Sequence, residues 1–146
     1  MDVKVAIRRL RLGYGKKEVL KGINLDIVKN RIYGFMGPSA SGKSTLISVI
    51  NKMVSFEDGV SMSGSVLLDG EDIINGNIDE VTLRKRIGTV FATPIPLPRS
   101  IFENVAFGPK LNKGYSRVAL NALVEESLQK AFLPASQWMS KICETR

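Results

Sequence analysis

The sequence predicts an α/β fold with an antiparallel β portion at its start and helices towards its end. Three observations carry this. Residues 37–45, Gly-Pro-Ser-Ala-Ser-Gly-Lys-Ser-Thr, form a G-x-x-x-x-G-K-[ST] phosphate-binding loop. Apolar residues alternate with polar ones on both sides of an early Gly-Tyr-Gly turn. Helical spacing dominates after residue 100.

Val3, Val5 and Ile7 alternate, then the phase moves to Leu10 and Leu12. This is a strand with a bulge near Arg8–Arg9. Gly13-Tyr14-Gly15-Lys16-Lys17 is a turn. Ile23, Leu25 and Ile27 restore period two in a second, antiparallel strand. Arg31 to Met36 is a short apolar run suited to a buried strand.

The glycine loop follows. Gly37 and Gly42 let the backbone bend closely around phosphate oxygens. The amides of the bent loop, including those of Pro38's neighbours Ser39, Ala40 and Ser41, make a concave anion site. Lys43 is placed to reach the β/γ-phosphates, and the Ser44 hydroxyl to ligate Mg²⁺. Thr45 closes the motif. Leu46, Ile47, Ile50, Met53 and Val54 then fall on one helical face. That helix aims its N-terminus at the phosphates.

A loop at Glu57–Ser63 leads to a strand at Ser65–Leu68, closed by Asp69-Gly70. Ile78 to Arg86 reads as a short helix with a basic end, and Ile87 to Phe91 as a strand. Pro94, Pro96 and Pro98 exclude regular structure from Thr93 to Arg99. Ser100-Ile-Phe-Glu103 is a capping box opening a helix that Gly108-Pro109 ends. Ser116 to Phe132 is amphipathic, with Leu120, Leu123, Val124, Leu128 and Ala131 near one face, and Pro134 stops it.

A chain of 146 residues is one domain's worth, with enough length for a core. No apolar run approaches the ~18–20 residues that span a membrane. The start does not resemble a signal peptide, and Cys143 is the only cysteine, so an intrachain disulfide is excluded. These features fit a soluble intracellular protein. The net charge of +7 lies wholly in residues 1–50, which hold ten Lys/Arg against three Asp/Glu. Arg8, Arg9, Arg11, Lys16 and Lys17 are the candidate nucleic-acid patch, but a solvated strand face is the better account. Nucleic acid is not an expected partner, since no recognised motif accompanies the charge.

Further segments line up with the loop. Gly64-Ser-Val-Leu-Leu-Asp-Gly70, Leu83-Arg-Lys-Arg86, Ile87-Gly-Thr-Val-Phe91, Pro94-Ile-Pro-Leu-Pro98 and Ser100-Ile-Phe-Glu-Asn-Val-Ala-Phe-Gly108 resemble the ATP-binding subunit of an ABC transporter, in its phosphate-importer branch. The resemblance runs from the N-terminus to about Phe132. It implies a P-loop NTPase fold, the N-terminal half of an ABC nucleotide-binding domain. Residues 1–91 would form the P-loop core with its antiparallel β subdomain. Residues 92–146 would form the Pro-rich loop and the start of the helical subdomain.

The resemblance implies that Tyr14 stacks on adenine, with Val19 beside base and ribose, and that ATP with Mg²⁺ occupies the loop. It implies membrane permease subunits and a second ATP-binding subunit as partners, on the cytoplasmic, inner face of the membrane. Two positions depart from the family. Ala40 stands where glycine is usual, and Ala92 where a glutamine contacts Mg²⁺ and the attacking water. The Leu-Ser-Gly-Gly-Gln signature, a hydrophobic strand ending in Asp-Glu and a switch histidine do not occur in these 146 residues. The tail from Leu133 does not resemble the family's continuation, so the chain reads as truncated before the signature. The expectation is ATP binding with little or no hydrolysis. The other readings are a non-catalytic nucleotide-binding module or remnant, and a P-loop small-molecule kinase with Arg84, Arg86 and Arg99 as lid arginines.

Overall fold

The computed structural model describes residues 2–111 and 114–134. The C-terminal stretch from residue 135, with Cys143, lies outside them. The chain divides into two compact units, Met1–Val90 and Phe91–Arg146.

The first unit is built on a sheet. Strands β1 (Val3–Tyr14), β2 (Lys17–Val28), β3 (Val60–Leu68) and β4 (Glu71–Asp72) run in the order β2-β1-β3-β4. Every neighbouring pair is antiparallel. Val5 and Ile7 face the core, and so do Leu10 and Leu12. Both sets can do so because β1 slips register at Arg8–Arg9 against each neighbour. Arg9 sits at φ 47, and its N–H is taken by the Asn24 side chain at 2.9 Å. The bulge needs room opposite. A Cβ on Gly64 would lie 2.6 Å from the Arg9 carbonyl oxygen, so only glycine fits there.

Helix α1 (Lys43–Ile50) lays Leu46 and Val49 on this core. The helix stops at Asn51, and Met53–Phe56 is a separate 3₁₀ turn. The single helical face expected through Val54 is therefore two pieces. Lys52 at φ 56 makes the break, and Val54 still reaches the core. Buried Asn51 holds the corner: its amide donates to Thr89 at 2.9 Å, and its carbonyl oxygen accepts from the Met53 N–H at 3.0 Å. Each fully buried Ile, Leu or Val here contributes about 1.5–3 kcal/mol.

Helix α2 (Glu80–Arg86) is capped by Asp79, whose carboxylate accepts from the Thr82 N–H at 2.9 Å. Arg84, Lys85 and Arg86 crowd its last turn, where the helix dipole favours cations.

Two expected strands are not strands. Arg31–Met36 and Ile87–Phe91 join no ladder among the described residues. Ile32, Met36 and Val90 are fully exposed. An apolar run becomes a strand only when another strand pairs with its amides and carbonyls, and neither segment has that neighbour.

The second unit pairs α3 (Ile101–Leu111) with α4 (Arg117–Lys130) around Ala106, Leu120, Val124 and Leu128. The capping box forms in both directions: Glu103 N–H donates to Ser100 Oγ, and Ser100 N–H to the Glu103 carboxylate, each at 3.1 Å. Asn104 pins the Pro-rich segment, accepting from the Leu97 N–H at 2.8 Å and donating to its carbonyl at 3.1 Å.

Gly108-Pro109 does not end α3, which continues to Leu111. Proline there costs only the bond to the residue four before it, in the last turn. Nor does Pro134 stop α4. Phe132 turns left-handed at φ 59, its N–H bonds Gln129 O at 2.9 Å, and the Leu133 N–H bonds Leu128 O at 3.1 Å. This is a Schellman stop with phenylalanine where glycine is usual.

Candidate functional site

The glycine loop lies between the unladdered 31–36 segment and α1. At Gly42 the backbone takes φ 92, and a Cβ would meet Leu20 at 3.0 Å and Val19 at 3.2 Å. The loop thus rests on β2 too closely for any side chain. No side chain caps the first turn of α1, so its leading amides are left for a ligand.

Lys43 turns back over the loop. Its ammonium donates to Pro38 O at 2.7 Å, Gly37 O at 3.0 Å and Ser41 Oγ at 3.2 Å. The loop is drawn into a ring around one positive charge. Ala40 sits inside that ring at φ 60. The position is left-handed, and alanine there carries strain on the order of 1 kcal/mol.

Tyr14, Val19, Ala40, Ser41, Gly42, Lys43, Ser44 and Thr45 line one cleft of about 290 Å³. Lys17 lines it too. Gly37 and Pro38 line an adjoining cavity with Phe35, Met36 and Leu46. Ser39 lines neither and is exposed. Sequence reasoning left Lys17 out of the site. The signal for it was its place across the turn from Tyr14, to which it is paired in the ladder. Burial raises the Tyr14 phenol above its ordinary pKa, helped by Glu57, while Thr45 acts in the opposite sense.

The donor set suits a polyphosphate: one ammonium at the loop, a second at Lys17, uncapped helix amides and a serine at the helix start. The aromatic wall at Tyr14 suits a base. No group of three or more His, Cys, Asp or Glu suited to a metal occurs among the described residues.

Other predicted side chains are occupied elsewhere. Arg84 sits 4.6 Å over the Phe56 ring and bonds Glu80 at 2.8 Å. Arg86 bonds Glu71 at 2.7 Å and Asp69 at 3.3 Å. Neither is free to act as a lid arginine. Arg99 and Ala92 belong to the second unit, where Arg99 lies 5.8 Å from the Phe107 ring centroid. In the basic patch, Arg8 pairs with Asp26 at 2.6 Å and Arg11 with Glu18 at 2.7 Å.

A glycine loop, its lysine and an uncapped helix start, seated on an antiparallel sheet, define a P-loop nucleotide-binding protein. Residues 20–143 match the ABC transporter family, and the chain belongs to it. It is an ATP-binding module of that family. The fold is similar to CbiO1 from Clostridium perfringens, part of the ABC transporter complex CbiONQ, with TM-score 0.78 and 25% identity over 97% of this chain and 55% of that one. It is also similar to a bacterial Atm1-family ABC exporter with ATP bound, with TM-score 0.73 and 23% identity over 97% of this chain and 23% of that one. The chain spans about half the length of CbiO1. Among the described residues no helix is long and apolar enough to cross a membrane.

Proposed function

We propose that the chain binds Mg-ATP in the cleft between Tyr14 and the glycine loop, as the energy-coupling module of an importer. One observation carries this: Tyr14, Val19 and residues 40–45 come from separate segments yet line one cleft. The base would stack on Tyr14 beside Val19, a contact worth about 1–3 kcal/mol in related settings. The loop amides from Gly37 to Gly42, with Lys43, would hold the phosphates, and Thr45 would close the site behind them. Ser44 would ligate Mg²⁺, which when bound supplies charge neutralisation between the β- and γ-phosphates. Lys17 would add a second cation at the mouth.

Phosphate as the transported solute rests on the segments from Gly64 to Gly108 that resemble the phosphate-importer branch. Permease subunits and a second ATP-binding subunit are the partners, at the cytoplasmic face of the membrane. That CbiO1 is part of a transporter complex supports a partnered subunit. The division of labour we propose places nucleotide binding in residues 1–91 and the start of the helical subdomain in 92–146.

The 146 residues contain no histidine and no Ser-Gly-Gly, and position 92 is alanine. These residues by themselves bind without appreciable turnover. Lys43, the loop amides and Ser44 with Mg²⁺ are then the groups that would stabilise charge on a transferring phosphoryl group. Calorimetric titration with Mg-ATP tests the reading, with Lys43→Ala alongside. Binding that Lys43→Ala loses supports it, and no binding by the folded chain overturns it. Phosphate release that Lys43→Ala abolishes would overturn the absence of turnover.

A further inference from the structure

A second cavity lies on the outer face of the sheet. Leu10 and Leu12 are buried in the core, so alternation puts Arg11 and Gly13 of β1 on the opposite face. In the ladder with β3, Arg11 pairs with Ser63 and Gly13 with Ser61. On its other side Gly13 pairs with Glu18 of β2. Gly13 therefore lies between two residues that carry side chains and carries none itself. A Cβ there would stand 3.4 Å from Ser61 Oγ and occupy the floor. The result is a trough across three strands, of about 330 Å³, lined by Arg11, Lys16, Glu18, Ser61 and Ser63. None of these lines the cleft beside the glycine loop, to which the hairpin contributes Tyr14, Lys17 and Val19.

The polar side chains of the trough are mostly donors. Arg11 Nη1 donates to Glu18 at 2.7 Å, and the guanidinium carries further N–H groups. Among the described residues, the Lys16 ammonium and the Ser61 and Ser63 hydroxyls have no hydrogen-bond or ion-pair partner. Glu18 is the one carboxylate lining the trough, and Arg11 neutralises it. The charge of Lys16 is left uncompensated.

We propose that this trough binds the phosphate monoester of a small organic molecule. A phosphate group presents strong acceptors to the donors gathered here. The guanidinium fork matches two of its oxygens, Lys16 supplies a point charge, and the hydroxyls supply two further donors. The volume exceeds that of a bare phosphate. It falls at the low end of small-molecule sites, about 300–1,000 Å³, which leaves room for the organic group. Glu18 competes with the ligand for Arg11 and so weakens binding. The site does not depend on what occupies the glycine loop.

The test is a nuclear magnetic resonance titration of the isotope-labelled full chain at constant ionic strength. Glycerol phosphate is one probe and inorganic phosphate the other. Glycerol phosphate is expected to shift the amides of Gly13, Gly15, Ser61 and Ser63 to saturation. Lys43→Ala, which disables the glycine loop, should leave that dissociation constant unchanged. Lys16→Gln should weaken it about tenfold, the scale of one lost bond to a charged group, and Ser63→Ala about threefold. Glu18→Gln should tighten it severalfold, a gain that no folding defect imitates.

Shifts that never saturate overturn the site. So do shifts that vanish in Lys43→Ala, since they then originate at the glycine loop. No response to either Lys16→Gln or Glu18→Gln also overturns it. Inorganic phosphate bound as tightly as glycerol phosphate overturns the monoester and makes free phosphate the ligand.

Discussion

The Lys43 ammonium donates to the Pro38 carbonyl at 2.7 Å, the shortest of its three bonds within the glycine loop. The lysine that sequence assigns to phosphate is also the group that gathers the loop. Lys43→Met is expected to act twice. Hydrogen exchange of the 37–42 amides should quicken without ligand. Affinity for Mg-ATP should fall at least about tenfold, the scale of one lost bond to a charged group. A loop whose exchange is unchanged would show that the carbonyl contacts do not hold it.

Ala40 lies at φ 60, where a Cβ costs about 1–2 kcal/mol. Ala40→Gly removes that cost and returns about 0.4–1 kcal/mol of unfolded-state freedom. The steric term is larger. A net stabilisation of roughly 0.5 kcal/mol is expected, read as a small rise in the urea midpoint with unchanged slope.

Gly64→Ala should be severe. The added Cβ would lie 2.6 Å from Arg9 O and 2.7 Å from Arg8 O, and both atoms are backbone. Position 64 also has φ 98. The bulge must flatten or β3 must shift, at a cost of about 2–3 kcal/mol. Thermal unfolding of the two chains side by side measures it.

Asp69 gives a pH dependence. Lys4 at 2.7 Å, then Arg86 at 3.3 Å and Lys29 at 3.8 Å, hold its carboxylate below the ordinary range. The folded pKa is depressed, so the unfolded chain binds the proton first. The contribution is present above the unfolded value, about 3.9, and is lost as pH falls through the folded one. Asp69→Asn keeps the shape and suits the left-handed φ of 50. The mutant should be less stable than wild type at pH 7, with the gap closing towards pH 3. Denaturant midpoints across that range decide it.

Much of the first unit was legible because local chemistry settles it. The phase change between Ile7 and Leu10 can be satisfied only by a bulge, and the structure has one at Arg8–Arg9. In the second unit the Ser100–Glu103 box needs only its own turn. What failed depended on neighbours. The runs at Arg31 and Ile87 carry the apolar pattern of buried strands, but pattern cannot say whether a partner strand is beside them. The left-handed stop at Phe132 was hidden because phenylalanine rarely adopts that conformation. In the cleft, the loop residues were read from their motif. The association of Tyr14 and Val19 with them came from family resemblance, since no spacing rule joins position 14 to position 42. Lys17 was missed because it lies outside the loop motif, although its place across the turn from Tyr14 was there to be read.

The unladdered segment at 31–36 bears on how any melting curve of this chain is read. Unpaired apolar backbone of this kind is a template for pairing with another strand. Anything that binds the folded form raises its apparent stability by mass action. A transition temperature for this polypeptide is therefore a property of the solution as much as of the fold. It has meaning only alongside the protein concentration at which it was taken.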